Sequence, residues 1–185
     1  ARHGVEVVGV DVNADVVEVT NAGKLHIVED GLEDLLQEAI ASGNFKAYTQ
    51  PQEADAFFIV VPTPFKGNHE PDTSFVEAAT MMVLPLLKEG DLYVIESTSP
   101  VGTTEMMSEL IFKRRPELKG KIYIAYCPER VLPGNIIEEL VNNDRVIGGI
   151  NEASTEKAKE WYRHFVKGQL HSTNCRTAAM CKLTE

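Results

Sequence analysis

Leu92-Tyr93-Val94-Ile95-Glu96-Ser97-Thr98-Ser99-Pro100-Val101-Gly102-Thr103-Thr104 is the stretch that decides the fold. An unbroken apolar run predicts a strand, Leu92 to Ile95, covered on both faces. It stops at a polar, proline- and glycine-bearing turn, and a helix is expected from about Thr104 to Phe112. The same sentence of strand, turn and helix is repeated on both sides. Val5 to Val10 ends at Asp11 and precedes a helix near Ala14 to Asn21; Ala56 to Val61 ends at Pro62-Thr63-Pro64. Ile122 to Tyr126 ends at Cys127-Pro128-Glu129-Arg130, and Val146-Ile147 is a further short strand.

Between the strands lie amphipathic helices. Leu32 to Ala41 puts Leu32, Leu35, Leu36, Ala39 and Ile40 on one face. Ser74 and Glu77 have the spacing of a capping box, and the helix they open carries the stripe Phe75, Ala79, Met82, Val83 and Leu86. A short helix is expected near Ile136 to Val141. Ser154 is expected to cap a helix whose core face is Ala158, Trp161, Tyr162 and Phe165, and a last helix starts at Thr177. Alternating strands and helices of this kind predict an α/β protein with a doubly wound parallel sheet.

Composition narrows the function. The 185 residues carry 18 basic and 28 acidic side chains, a formal net charge of -10. That balance disfavours nucleic acid and anionic membrane as partners. No apolar run reaches membrane-spanning length. Cys127, Cys175 and Cys181 are odd in number and lack metal-ligand spacing, so no metal site is expected and a reduced, cytoplasmic protein fits. The chain opens on Ala1-Arg2-His3-Gly4 and closes inside a helical pattern, so both ends read as cuts through a longer protein.

In open α/β sheets ligands bind beyond the carboxyl ends of the strands, which is where the polar turns fall. Asp11 is placed to accept hydrogen bonds from a ribose diol, or, more plainly, to cap the next helix. Pro62-Thr63-Pro64 is a stiffened turn that either seats a cofactor or simply connects two elements. Ser97 and Thr98 gather hydroxyls at a helix start, where Thr103 or Thr104 is also expected to cap. Glu129 is placed to take a proton from water and Arg130 to hold a phosphate, or the two form a surface ion pair. Lys182 reads as a solvated helix face, and Cys127 and Cys181 as small buried apolar residues.

Read together, Val10-Asp11-Val12-Asn13, Pro62-Thr63-Pro64, Ser97-Thr98 with Pro100-Val101-Gly102, Cys127-Pro128-Glu129-Arg130, Asp144-Arg145-Val146-Ile147-Gly148-Gly149 and Lys182-Leu183 resemble the UDP-glucose/GDP-mannose dehydrogenase family. The motifs stand in the family's order over the whole chain. Val61 to Asp72 and Pro128 to Gly134 look most like its UDP-N-acetylmannosamine branch. The resemblance implies a Rossmann-like domain over residues 1–176, with its first strand and glycine loop before residue 1, and the start of a central dimerisation and substrate helix over 177–185. It implies NAD as cofactor, a UDP-sugar as substrate and a homodimeric parent enzyme. That enzyme oxidises a sugar primary alcohol to a carboxylate in two hydride transfers, through a thioester on a cysteine.

By position, Asp11 matches the ribose-binding acid, and Pro62, Thr63, Pro64, Ser97 and Thr98 match the cofactor cleft. Thr98 and Glu129 match residues that organise the hydrolytic water. Lys182 matches the lysine that stabilises the oxyanion, and Glu129, Arg130, Val131 and Lys182 the sugar-nucleotide contacts. None of the three cysteines matches the nucleophile, so the chain alone is expected to be inactive. Val16 stands where some relatives place a basic residue, and Pro133 where UDP-glucose enzymes carry a second acid. Dehydrogenases of UDP-N-acetylglucosamine or UDP-glucose, and a non-catalytic nucleotide-binding module, are the rival expectations.

Overall fold

The computed structural model describes residues 1, 3–25, 29–132 and 134–184. Pro133 lies outside the described residues, so its comparison with a second acid stays with the sequence. The described elements run β1 (Val7–Val10), α1 (Ala14–Asn21), α2 (Leu32–Ala41), β2 (Phe45–Tyr48), β3 (Ala56–Ile59), β4 (Phe65–Lys66), β5 (Glu70–Pro71), α3 (Ser74–Val83), β6 (Leu92–Ile95), α4 (Thr103–Arg114), β7 (Tyr123–Tyr126), α5 (Ile136–Asn142), β8 (Arg145–Gly149), α6 (Glu152–Tyr162), β9 (Leu170–Asn174) and α7 (Cys175–Leu183). They form two compact units: Ala1–Gln52 with Val131–Asn142, and Glu53–Arg130 with Asn143–Glu185.

In the first unit β1 and β2 pair in parallel, Val7 opposite Phe45 and Val10 opposite Tyr48. β2 lacks the unbroken apolar run of β3 and β6, because Lys46 interrupts its apolar side chains. Asn13, not Asp11, caps α1, accepting from the Asp15 N–H at 2.9 Å. Asp11 accepts from the Asn13 N–H at 2.8 Å and so shapes the turn that leads into the cap. The Glu29 carboxylate reaches the start of α5, accepting from the N–H groups of Gly134 and Ile136 at 3.0 and 2.9 Å.

The second unit is built on a five-stranded sheet of order β3-β6-β7-β8-β9, with β4 and β5 as a separate small hairpin. The α/β reading holds, and the sheet is mostly parallel, as a Rossmann-like fold requires. One pair departs from it: β8 runs antiparallel to β7. A parallel neighbour needs a crossover that lays a helix on the sheet. α5, the helix described in the β7–β8 connection, belongs to the first unit instead.

Strand alternation sends side chains to two cores. Phe57, Ile59, Tyr93, Ile95, Ile124 and Tyr126 face α3, α4 and α7 on one side. Leu92, Val94, Ala125, Cys127 and Ile147 face Ala158 and Tyr162 of α6 on the other. Fully burying one such branched or aromatic side chain contributes about 1.5–3 kcal/mol, so the two-sided burial of β6 and β7 makes them the anchor of this unit.

Several helix details correct the sequence reading. The buried stripe of α3 is Val76, Thr80 and Val83, while Phe75 is exposed. Thr80 can occupy the core because its hydroxyl pairs with the Tyr93 hydroxyl and with the Val76 carbonyl, each at 2.6 Å. Thr73 holds the cap position of α3, and Asp72 accepts from the Ser74 N–H at 2.9 Å in place of the expected box. The α6 cap is Asn151; Ser154 lies inside the helix, its hydroxyl accepting from the Ile124 N–H at 3.1 Å. α4 starts after Gly102, whose φ of 100° suits glycine, and Thr103 donates back to the Pro100 carbonyl rather than capping. α7 starts at Cys175, capped by Asn174, two residues before the expected Thr177.

Candidate active site at the strand ends

Within the second unit Ile59, Ile95 and Tyr126 stand level across β3, β6 and β7. Their carboxyl-terminal turns therefore leave the sheet side by side, and Thr98 and Glu129 each lie three residues past that line. Ser97 fastens the first two turns. Its buried hydroxyl accepts from the Val61 N–H at 2.8 Å and donates to the Ile59 carbonyl at 3.3 Å. With its hydroxyl so engaged, Ser97 would border a ligand through its backbone. Ser99 donates to the Ser97 carbonyl at 2.9 Å, so the loop is folded on itself and Thr98 is left exposed. Thr63 is half-buried between the exposed Pro62 and Pro64.

Glu129 is half-buried at the end of β7, and both carboxylate oxygens are held. Oε1 accepts from the Arg130 N–H at 2.7 Å, and Oε2 accepts from Arg145 Nη1 at 3.1 Å. Glu129 is thereby paired with a buried guanidinium; Arg145 is 4 % exposed. The antiparallel register explains the meeting. Ala125 faces Gly149 and Tyr126 faces Gly148, and continuing by three residues puts Arg145 level with Glu129.

Below them lies a polar cluster that the sequence reading did not single out. Tyr162 of α6 is fully buried and donates to Glu96 Oε1 at 2.5 Å. The Arg145 guanidinium lies over the rings of Tyr162 and Phe165, at 5.6 and 5.9 Å from their centroids. Burial pushes the Glu96 carboxyl up, against the opposing pull of the Tyr162 hydrogen bond and the Arg145 charge. Burial likewise pushes the Cys127 thiol up to about 12 and the Tyr162 phenol well above its ordinary range. A signal was available: Leu92, Val94 and Glu96 share one strand face, so a carboxylate follows two core positions.

The remaining candidates are placed as follows. Asp11 and Val131 belong to the first unit, Asp11 exposed at the carboxyl end of β1 and Val131 half-buried just before α5. An exposed carboxylate oriented by a neighbouring N–H at a strand's carboxyl end has the chemistry a ribose diol needs. Arg130 is exposed on the second unit. Lys182 is half-buried in the last turn of α7, whose Cys175, Ala178 and Ala179 sit in the core with Tyr126. Arg176 of α7 also pairs with Glu105 of α4 at 2.9 Å. No helix among the described residues is long and apolar enough to cross a membrane.

Comparison with known proteins agrees with this architecture. Residues 1–166 match the model of the UDP-glucose/GDP-mannose dehydrogenase family, NAD binding domain. A UDP-N-acetyl-D-mannosamine dehydrogenase of Yersinia pestis is 52% identical over 97% of this chain and 45% of its own length. An NDP-N-acetyl-D-galactosaminuronic acid dehydrogenase of Ralstonia nicotianae is 49% identical over 97% of this chain and 44% of its own. Among solved structures, the native UDP-N-acetyl-mannosamine dehydrogenase of Staphylococcus aureus superposes with a TM-score of 0.95 at 40% identity, covering 99% of this chain and 45% of that one. The chain spans about half the length of the relatives it matches. NAD is the cofactor of the domain it corresponds to, and the chain belongs to the UDP-glucose/GDP-mannose dehydrogenase family.

Proposed function

We propose that this chain is the cofactor-binding part of an NAD-dependent dehydrogenase that oxidises the C6 alcohol of UDP-N-acetylmannosamine to the uronic acid. One observation carries the reading: 52% identity to an enzyme of that name across 97% of the chain. The strand-end geometry supports it, since the turns bearing Thr98 and Glu129 emerge together from β6 and β7. When bound, NAD accepts the hydride in each of the two oxidations.

In this reading Asp11 holds the adenosine ribose, and Pro62, Thr63, Pro64, Ser97 and Thr98 border the cofactor. Thr98 and Glu129 orient the water that releases the acid, with Glu129 as the proton acceptor. Arg130, Val131 and Glu129 contact the sugar-nucleotide, and Lys182 stabilises the developing oxyanion. The nucleophilic cysteine lies outside these 185 residues. The chain's own thiols support that, because burial pushes Cys127 up to about 12 and Cys175 up to about 11. The glycine loop and first strand of the domain precede residue 1, and 177–185 begin the central helix. The parent works as a cytoplasmic homodimer supplying a uronic acid for polysaccharide synthesis.

The galactosamine-type relative, at 49% identity, keeps one second reading open, in which the sugar is of the N-acetylgalactosamine type. Turnover of the full-length protein on a panel of UDP-sugars decides between them. Two NADH per sugar oxidised, with UDP-N-acetylmannosamine the best substrate, is the expected result. A preference for the N-acetylgalactosamine sugar would install the second reading. No NADH with any UDP-sugar would leave only a nucleotide-binding module.

A further inference from the structure

We infer that Arg145 is a positioning residue for Glu129, a buried cation that fixes the carboxylate's direction at the mouth of the site. The inference rests on the proposed function, in which Glu129 serves the hydrolytic step.

Three observations carry it. First, the contact is built by the sheet. The antiparallel register puts Arg145 level with Glu129, and the alternation of β7 puts Glu129 on the same face as Ala125 and Cys127, the face that Arg145 shares with Ile147. Second, the guanidinium is constrained from behind. Tyr162 and Phe165 present their rings to it at 5.6 and 5.9 Å, and Tyr162 is itself tied to Glu96 at 2.5 Å. Glu96 immediately precedes Ser97 and Thr98, so one buried stack steadies the ends of both β6 and β7. Third, the two partners differ in exposure. Arg145 is 4 % exposed, whereas the Glu129 side chain is 33 % exposed.

Burying a cation costs desolvation that an apolar residue of the same size would avoid, so this pair is a poor device for stability alone. It is a good device for geometry. Arg145 Nη1 holds Oε2 while the Arg130 N–H holds Oε1, leaving the carboxylate little freedom to rotate. A base that must meet a water in one orientation gains from such constraint.

The test uses the full-length protein with Glu129→Gln, Arg145→Met and the double variant. Arg145→Met should lower the steady-state rate about a hundredfold, the penalty of a misplaced catalytic group. Dissociation constants for NAD and for the UDP-sugar, measured by direct binding, should stay near wild type. Because only the hydrolytic half is served by Glu129, both single variants should still give a rapid burst of NADH before the slow phase. The double variant should be no slower than Glu129→Gln alone, since Arg145 acts through Glu129. Multiplying losses, or a normal steady-state rate in Arg145→Met, would overturn the inference. Should the methionine variant fail to fold, Arg145→Lys keeps the charge but not the planar fork, and should show the same retained burst and slowed steady state. Wild-type protein inactive on every UDP-sugar, or an unaffected Glu129→Gln, would instead defeat the proposed function itself.

Discussion

Gly148 shows how tightly single residues are set in this sheet. A Cβ built there would lie 2.2 Å from the Asn174 carbonyl oxygen and 2.7 Å from the Cys175 nitrogen. Those atoms are backbone at the start of α7 and cannot turn aside as a side-chain tip could. Gly148→Ala should therefore cost about 3 kcal/mol, the upper part of the range for overpacking. The check is the urea midpoint of the chain, and an unchanged midpoint would show that α7 can slide. In the sequence Gly148 and Gly149 stand within a motif, but the reason for them is not legible there. It is a contact between β8 and the β9–α7 junction, and no local pattern encodes it. Glu96 and Arg145 differ in this respect. Their place on a core-facing strand position follows from period two, whereas their meeting with Tyr162 and Glu129 depends on which strand lies beside which.

At the scale of elements, most of the chain was legible because its strands and helices carry strong periods. The bounds of α1, α2 and β6 agree with the sequence reading, as do the positions of β3, β7 and α5 to within two residues. The caps were less legible, since Ser, Thr, Asp and Asn compete for them and the winner is set by backbone geometry. Asp72 illustrates the point. It follows the β4–β5 hairpin, pairs with Lys66 at 2.9 Å and accepts from the Ser74 N–H, so it joins the hairpin to the start of α3. These contacts, the Ser74 bonds first and then Lys66, hold its carboxyl down at about 2 from an ordinary 3.8. The folded form thus binds the proton less readily than the unfolded form. The stabilisation is complete above the ordinary value and is lost as pH falls through about 2. Acid titration followed by NMR should show the Ser74 amide and the hairpin shifting together at that low midpoint, and Asp72→Asn should abolish the step. A midpoint near 3.8 would mean that the Lys66 and Ser74 contacts are not kept in solution.

For the whole molecule, the sequence revealed a layered α/β chain but not its division into two units. The boundary was hidden because residues 131–142, late in the chain, belong with residues 1–52. Glu29 holds the start of α5 across that sequence distance, and loop composition gives no hint of such a partner. Chemistry is distributed as unevenly as structure. The chain supplies carboxylates, hydroxyls and a half-buried lysine, yet two of its three cysteines are poor nucleophiles: Cys127 and Cys175 are buried, with thiols pushed up by desolvation, while Cys181 lies half-buried on α7. A thiol must ionise and be reached before it can capture an aldehyde. The 185-residue chain alone, given NAD and UDP-N-acetylmannosamine, should therefore produce no NADH above background. In parallel, alkylation of the native chain at neutral pH should spare Cys127 and Cys175, while all three cysteines react in urea. NADH formation blocked by alkylation of one of these cysteines would place the nucleophile inside the chain and reverse the proposed division of labour.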